Sequence, residues 1–200
     1  AKGAEPLNSK ERAQYNAVVR FLEEEALKLW AVQAGIWVNE IDFNKRFENR
    51  KIGQGAEQAV YLRDDKPTVI KVNTGNYHGN WGEFFLRILF HEILFPTTRY
   101  TTVGFTEVDG SFATIIEQQF ALLVHGASRL EVEEYLKSFG FRRTKNDDYY
   151  NGHLGIILED LHDENIFIEN KHLLFIDPVI FVETRDMYLE GKNVYSFPFR

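Results

Sequence analysis

Apolar residues recur at spacings of three and four through Tyr15, Val18, Val19, Leu22, Ala26, Leu29 and Trp30, the stripe of an amphipathic helix. Asn8 followed by Glu11 reads as a capping-box start and Gly35 as the stop, while Glu23, Glu24 and Glu25 make a polar face read as solvated surface. After about residue 47 the period shortens to that of strands. Residues 51–55 and 59–62 flank a glycine turn, Asp64-Asp65-Lys66-Pro67 is a second turn, and 68–72 is a β-branched strand. A polar loop at 73–80 leads into a helix over 81–95, apolar nearly all the way round, read as well buried and closed by Pro96. Strands at 101–107 and 111–117 form a hairpin about Asp109-Gly110. Ser128 with Glu131 opens a third helix ending near Gly140, and the polar stretch 142–151 reads as a loop. Strands at 155–158, 165–168 and 173–176 follow, the last two joined by a tight turn at Glu169-Asn170-Lys171. The result is an α+β layout without internal repeat or linker. It divides into a helical segment 1–42, a β-rich lobe 43–120 and a short lobe 121–200.

Composition narrows the classes of partner. Thirty acidic residues against 23 basic give a net charge of −7 in 200 residues, which argues against nucleic acid or an anionic membrane as partner. Hydrophobic residues at 44%, with 17 Phe, suffice for a packed core. The absence of cysteine excludes disulfides, thiolate zinc sites and Cys nucleophiles. No apolar run approaches the roughly 18 residues of a membrane span, and no signal peptide is read at the N-terminus. The chain opens on Ala1, as expected of a processed protein or a piece of a larger one, and a cytoplasmic location is expected.

Candidate chemistry begins at Gly53-Gln54-Gly55. It lies between two strands, so it lacks the following helix that a dinucleotide fingerprint requires. Two readings stay open: a hairpin turn that needs glycine, or a loop whose amides lie over nucleotide phosphates, with Gln58 where a third glycine would stand. Lys71, inside an apolar strand, must either sit on an edge strand or find an anion, because an unpaired buried ammonium is costly. Two carboxylates on the next helix could pair with it: Glu83, in the first turn beside Asn80, or Glu92, on the face of Phe85, Ile88 and Leu89 and so expected to point inward. His91-Glu92 begins like a zinc-protease motif, but Phe95 stands where the second histidine belongs, and zinc is rejected. His78, His125, His153 and His172 have no nameable partner and are read as ordinary surface or core residues.

The strongest signal is Leu158-Glu159-Asp160-Leu161-His162, with Asn165 five residues after Asp160 and Asp177 at the end of the next strand. Phosphoryl transfer needs this set: one carboxylate to accept the hydroxyl proton, and an amide oxygen with a second carboxylate to hold Mg²⁺ against phosphates. The competing reading is a polar loop whose Asp and Asn make turn hydrogen bonds. Order decides between them. Glycine loop, strand lysine, helix with glutamate, hairpin, Asp-x-x-x-x-Asn and strand-Asp follow one another as a protein-kinase-like fold requires, and 115–120 falls where the hinge that reads adenine belongs, with Glu117 and Gln119 as nucleotide-binding candidates.

The loop around Asp160, His162 and Asn165 resembles that of aminoglycoside phosphotransferases. Glu159 to Asp163, with Phe175-Ile176-Asp177-Pro178 and Leu94-Phe95-Pro96, more specifically resembles the polyvalent protein kinase domains of bacterial mobile elements, over about 43–182. The resemblance implies a minimal bilobal kinase-like fold with an N-terminal helix and a truncated C-terminal lobe. It also implies ATP and Mg²⁺ as cofactors. Gly53 and Gly55 would cover the phosphates and Lys71 hold them, with Glu83 favoured over Glu92 as its partner; Asp160 would be the catalytic base, and Asn165 and Asp177 the metal ligands. Leu158 replaces the usual histidine, Pro178-Val179 replaces Phe-Gly, and the 23 residues after Asp177 are read as too few for an activation loop plus a helical substrate-docking lobe. The expectation is therefore γ-phosphate transfer to an unknown hydroxyl, on a protein or a small molecule. The alternatives are a pseudokinase that binds nucleotide or a partner without turnover, and an α+β interaction domain unrelated to kinases.

Overall fold

The computed structural model describes residues 8–47, 49–120, 125–145, 148–162 and 165–182. Asp163 and the stretch 183–200 lie outside the described residues, as does the side chain of His125. The chain forms two compact units, 1–92 with 99–120 and 93–98 with 121–200, so the N-terminal helix belongs with the β-rich lobe.

In the first unit, α1 (Ser9–Gln33) starts at the expected capping box. Asn8 accepts from the Lys10 and Glu11 amides at 3.1 Å, Glu11 accepts from the Asn8 amide at 2.9 Å, and Gly35, at φ 70°, turns the chain away. The two faces of the helix are reversed from expectation. Glu23 accepts from the backbone amides of Trp81 (2.6 Å) and Gly82 (3.3 Å), and Glu24 from the Trp81 indole (2.9 Å). Arg20 donates to the carbonyls of Thr74, Gly75 and His78. Glu23 and Glu24 are not solvated surface, because the first amides of the next long helix need acceptors and a carboxylate at a helix N-terminus also meets its dipole, whereas Glu25 is exposed as read. Tyr15, Val18, Leu22, Leu29 and Trp30 are left exposed.

A short helix α2 (Glu40–Phe47) follows, with Asn39 accepting from the Ile41 amide at 2.8 Å. Its Phe43 and Phe47 pack on each other and on Tyr61. The 42/43 boundary read from the sequence falls inside this helix, whose three apolar residues, Ile41, Phe43 and Phe47, are too few to show a period.

Five antiparallel strands make the sheet: β1 (Lys51–Gln54), β2 (Gln58–Leu62), β3 (Thr68–Asn73), β4 (Tyr100–Val108) and β5 (Ser111–Gln119), in the order β1-β2-β3-β5-β4. Helix α3 (Trp81–Leu94) supplies Trp81, Phe84 and Ile88 to a core with Tyr100, Phe105, Phe112 and Ile116. A second cluster joins Phe43 and Phe47 to Ile70, Val72, Ala113 and Ile115. Both sides of β5 are thus buried, which accounts for its nearly unbroken apolar run. The helix, read as well buried, is buried on one side only: Leu86, Leu89 and Ile93 are exposed.

The second unit holds a 3-10 turn (Pro96–Thr98), β6 (His125–Gly126), α4 (Arg129–Ser138), β7 (Arg142–Arg143), β8 (Tyr149–Asn151), β9 (Ile156–Glu159), β10 (Ile166–Glu169), β11 (His172–Phe175) and β12 (Val179–Val182). Its sheets run β12-β9-β8-β7 and β11-β10-β6. Ser128 caps α4 as expected, while the stretch read as a polar loop contributes β7 and β8, because Tyr149 is buried opposite Leu158. Phe95 stacks on Phe175 at 4.3 Å and Thr98 donates to the Phe175 carbonyl at 2.6 Å, fixing the strand that leads to Asp177. Among the described residues no helix is long and apolar enough to cross a membrane.

Candidate functional site

In the first unit Gly53 and Gly55 lie at the β1–β2 turn, closed by the Gly55 amide on the Gln58 carbonyl at 2.8 Å. Neither has a positive φ, and a Cβ would meet only ordinary contacts, at 3.7 Å from Val60 and 3.6 Å from the Gln58 carbonyl. The turn itself therefore does not require glycine there. Beyond it Glu57 folds back: its carboxylate takes Asn73 Nδ2 (3.2 Å), the Tyr77 amide (3.1 Å) and Arg87 of α3 (3.3 Å). Arg87 also donates to His78 Nε2 at 3.2 Å. Burial, helped by the Arg87 charge, holds the His78 imidazole below its ordinary range, so the ring is a neutral acceptor. His78, expected to be a bystander, is part of this junction.

Lys71 is on β3, the central strand, paired to Val60 on one side and Ile116 on the other, and is 4% exposed. The edge-strand reading is excluded. Its ammonium lies 5.2 Å from the centre of the Tyr100 ring, whose plane stacks on His91 at 3.9 Å. Tyr100 was not singled out in the sequence, and His91 was weighed only as a zinc ligand and rejected; only an aromatic opposite a buried lysine could have marked the pair. Of the two glutamates, Glu83 closes the start of α3, accepting from the Gly79 amide (3.0 Å) and from Asn80 (3.4 Å). Glu92, expected to point inward, is exposed because the helix turns His91 and Leu94 to the core instead. Glu117 accepts from Thr68 Oγ1 at 2.8 Å and pairs with Arg63 at 3.4 Å, whereas Gln119 is exposed.

In the second unit the β9–β12 ladder pairs Glu159 with Val179, which brings Asp160 and Asp177 to the same end. Both are in the left-handed region, at φ 63° and 65°. Asn165 joins them, since its carbonyl accepts from the Ile176 amide at 2.8 Å and its Nδ2 donates to the Asp160 carbonyl (2.9 Å) and carboxylate (3.2 Å). His162 Nε2 lies 3.1 Å from Asp160 Oδ1. The expected turn hydrogen bonds are present, and they hold the candidate base rather than exclude it. Leu158, in place of the usual supporting histidine, is wholly buried in β9, and support for Asp160 comes from His162 and Asn165. With Nδ2 engaged, the Asn165 amide oxygen and the Asp177 carboxylate are hard oxygen donors of the kind Mg²⁺ takes, and too few for a closed protein cage. Among the described residues no group of three or more His, Asp or Glu could hold a metal alone.

A β-sheet unit with a buried central-strand lysine and a second unit with an Asp–Asn–Asp turn cluster place the chain in the kinase-like class. Residues 21–184 match the model of the family described as serine/threonine/tyrosine kinase found in polyvalent proteins, and the chain belongs to that family. No curated protein matches it.

Proposed function

We propose that the chain is an ATP- and Mg²⁺-dependent phosphotransferase, working as one domain of a mobile-element protein. The observation that carries this reading is the gathering of Asp160, Asn165 and Asp177 at one end of the β9–β12 ladder, two of them held at left-handed φ. Residues held in this region persist where the surrounding structure over-determines them, here by the bonds among Asp160, His162 and Asn165. Asp160 accepts the acceptor hydroxyl proton as that oxygen bonds to the γ-phosphorus and the bond to the β,γ-bridging oxygen breaks, releasing ADP. Asn165 and Asp177 would hold Mg²⁺, which neutralises charge on the phosphates. Lys71, steadied by Tyr100, holds the phosphates, and the glycines at 53 and 55 leave room for their close approach. The acceptor is a hydroxyl of a protein or a small molecule; nucleic acid and membrane are not partners, consistent with the net charge of −7.

Calorimetric titration of ATP tests this. Binding should require Mg²⁺ and be lost in Lys71→Ala, while Asp160→Asn should keep binding and lose ATP turnover. No binding at millimolar ATP, or turnover by Asp160→Asn at the wild-type rate, would overturn it. Leu158 favours one second reading, nucleotide binding without turnover, which the same titration followed by a turnover assay separates.

A further inference from the structure

The outward face of α1 carries Tyr15, Val18, Phe21, Leu22, Leu29 and Val32, each 55–61% exposed, while Trp30 packs edge-on against Phe105. Scattered exposed apolar residues are ordinary, but six on one helix face are not. The helix cannot roll to bury them. Its other face is pinned by Glu23 and Glu24 on Trp81, by Arg20 on three carbonyls and by Lys28 on Glu107 at 2.5 Å. Tyr15, Val18, Leu22, Leu29 and Val32 keep the alternating three-and-four spacing of a two-helix seam, interrupted once by Glu25.

We propose that this face is a self-association surface, on which α1 packs antiparallel against α1 of a second copy. Taking the exposed fraction of each side chain, the face offers on the order of 700 Å² of largely apolar surface, within the range that each partner of a stable protein pair buries. A seam at heptad spacing fits another helix and not a flat surface. An anionic lipid surface would need lysines and arginines flanking the apolar face, but Arg20 and Lys28 are turned inward and the chain is net acidic. Identical faces can satisfy each other about a two-fold axis without a further partner. Glu25 sets the direction. In a parallel pair the two Glu25 carboxylates would meet in the buried seam, whereas an antiparallel pair sets them apart along the axis.

Sedimentation velocity of the full chain from about 1 to about 200 µM reads the association. A reversible dimer is expected, weakened at least tenfold by Leu22→Asp with Leu29→Asp and tightened by Glu25→Leu, with circular dichroism unchanged because all three positions are exposed. Because the chain has no cysteine, Leu22→Cys should give a disulfide-linked dimer and Tyr15→Cys should not. A monomer at every concentration in both wild type and Glu25→Leu would overturn the proposal. So would a dimer indifferent to the Asp substitutions, one cross-linked through Tyr15→Cys, or a monomer that binds anionic vesicles through this face.

Discussion

Asp160 and Asp177 adopt a backbone conformation that glycine takes freely and other residues take at a cost of about 1 kcal/mol or more. Each follows closely on the end of a strand, β9 for Asp160 and β11 for Asp177, so a fold built for stability alone would place glycine at both. This separates stability from chemistry. Asp160→Gly should keep or raise the midpoint of thermal unfolding, by up to a few degrees, while abolishing phosphoryl transfer. Asp160→Ala should abolish transfer and also lower the midpoint, since alanine keeps the Cβ and loses the bonds to Asn165 and His162. A fall of many degrees in Asp160→Gly would mean that the carboxylate is there to hold the loop. The residue types and spacing at this site were legible in the sequence because the three polar residues stand at the ends of apolar strands. Their meeting at one end of a ladder was not, because it depends on β12 pairing with β9, and the apolar run Val179–Val182 marks a strand without naming its partner.

Among the elements, capping was the most legible feature. The boxes at Asn8 and Ser128 are local, involving residues three apart. Which face of α1 turns inward was not legible, because the acceptors for the start of α3 come from Glu23, 58 residues before Trp81. The β1–β2 turn depends on distant partners in the same way. Glu57 anchors it to α3 through Arg87, both side chains being nearly buried (10% and 12% exposed). Breaking such a pair leaves one charge uncompensated, and Arg87→Ala should destabilise the chain by about 3 kcal/mol. Arg87→Ala with Glu57→Gln should recover part of that, since the second substitution removes the stranded charge. Denaturant unfolding of the single and double variants checks this; a double variant no more stable than Arg87→Ala would mean that Glu57 bears no unsatisfied charge.

At the scale of the whole molecule, the order of motifs along the chain was readable and pointed to the family, while the charged junction of the first unit was invisible. It gathers Arg20 from α1, Glu57 from the β1–β2 turn, His78 from the loop before α3, and Glu83 and Arg87 from α3 itself. Nothing in the spacing of these five residues announces that they meet. Burial is the first cause that lowers the His78 pKa, followed by Arg87; Glu57 and Glu83 oppose the shift and Arg20 adds to it. The folded chain therefore binds a proton at His78 less readily than the unfolded chain, whose imidazole titrates near 6.5. Stability from this group is complete above that pH and is lost as the pH falls from it through the lower folded value, because protonation would set a third cation beside Arg87 and Arg20. Thermal unfolding should show a lower midpoint at pH 5.5 than at pH 7.5. In His78→Gln, which keeps an acceptor for Arg87 and cannot titrate, that difference should shrink. An unchanged pH dependence in His78→Gln would locate the acid sensitivity in other groups, and would mean that the junction tolerates a third cation among Arg20, Arg87 and the two glutamates.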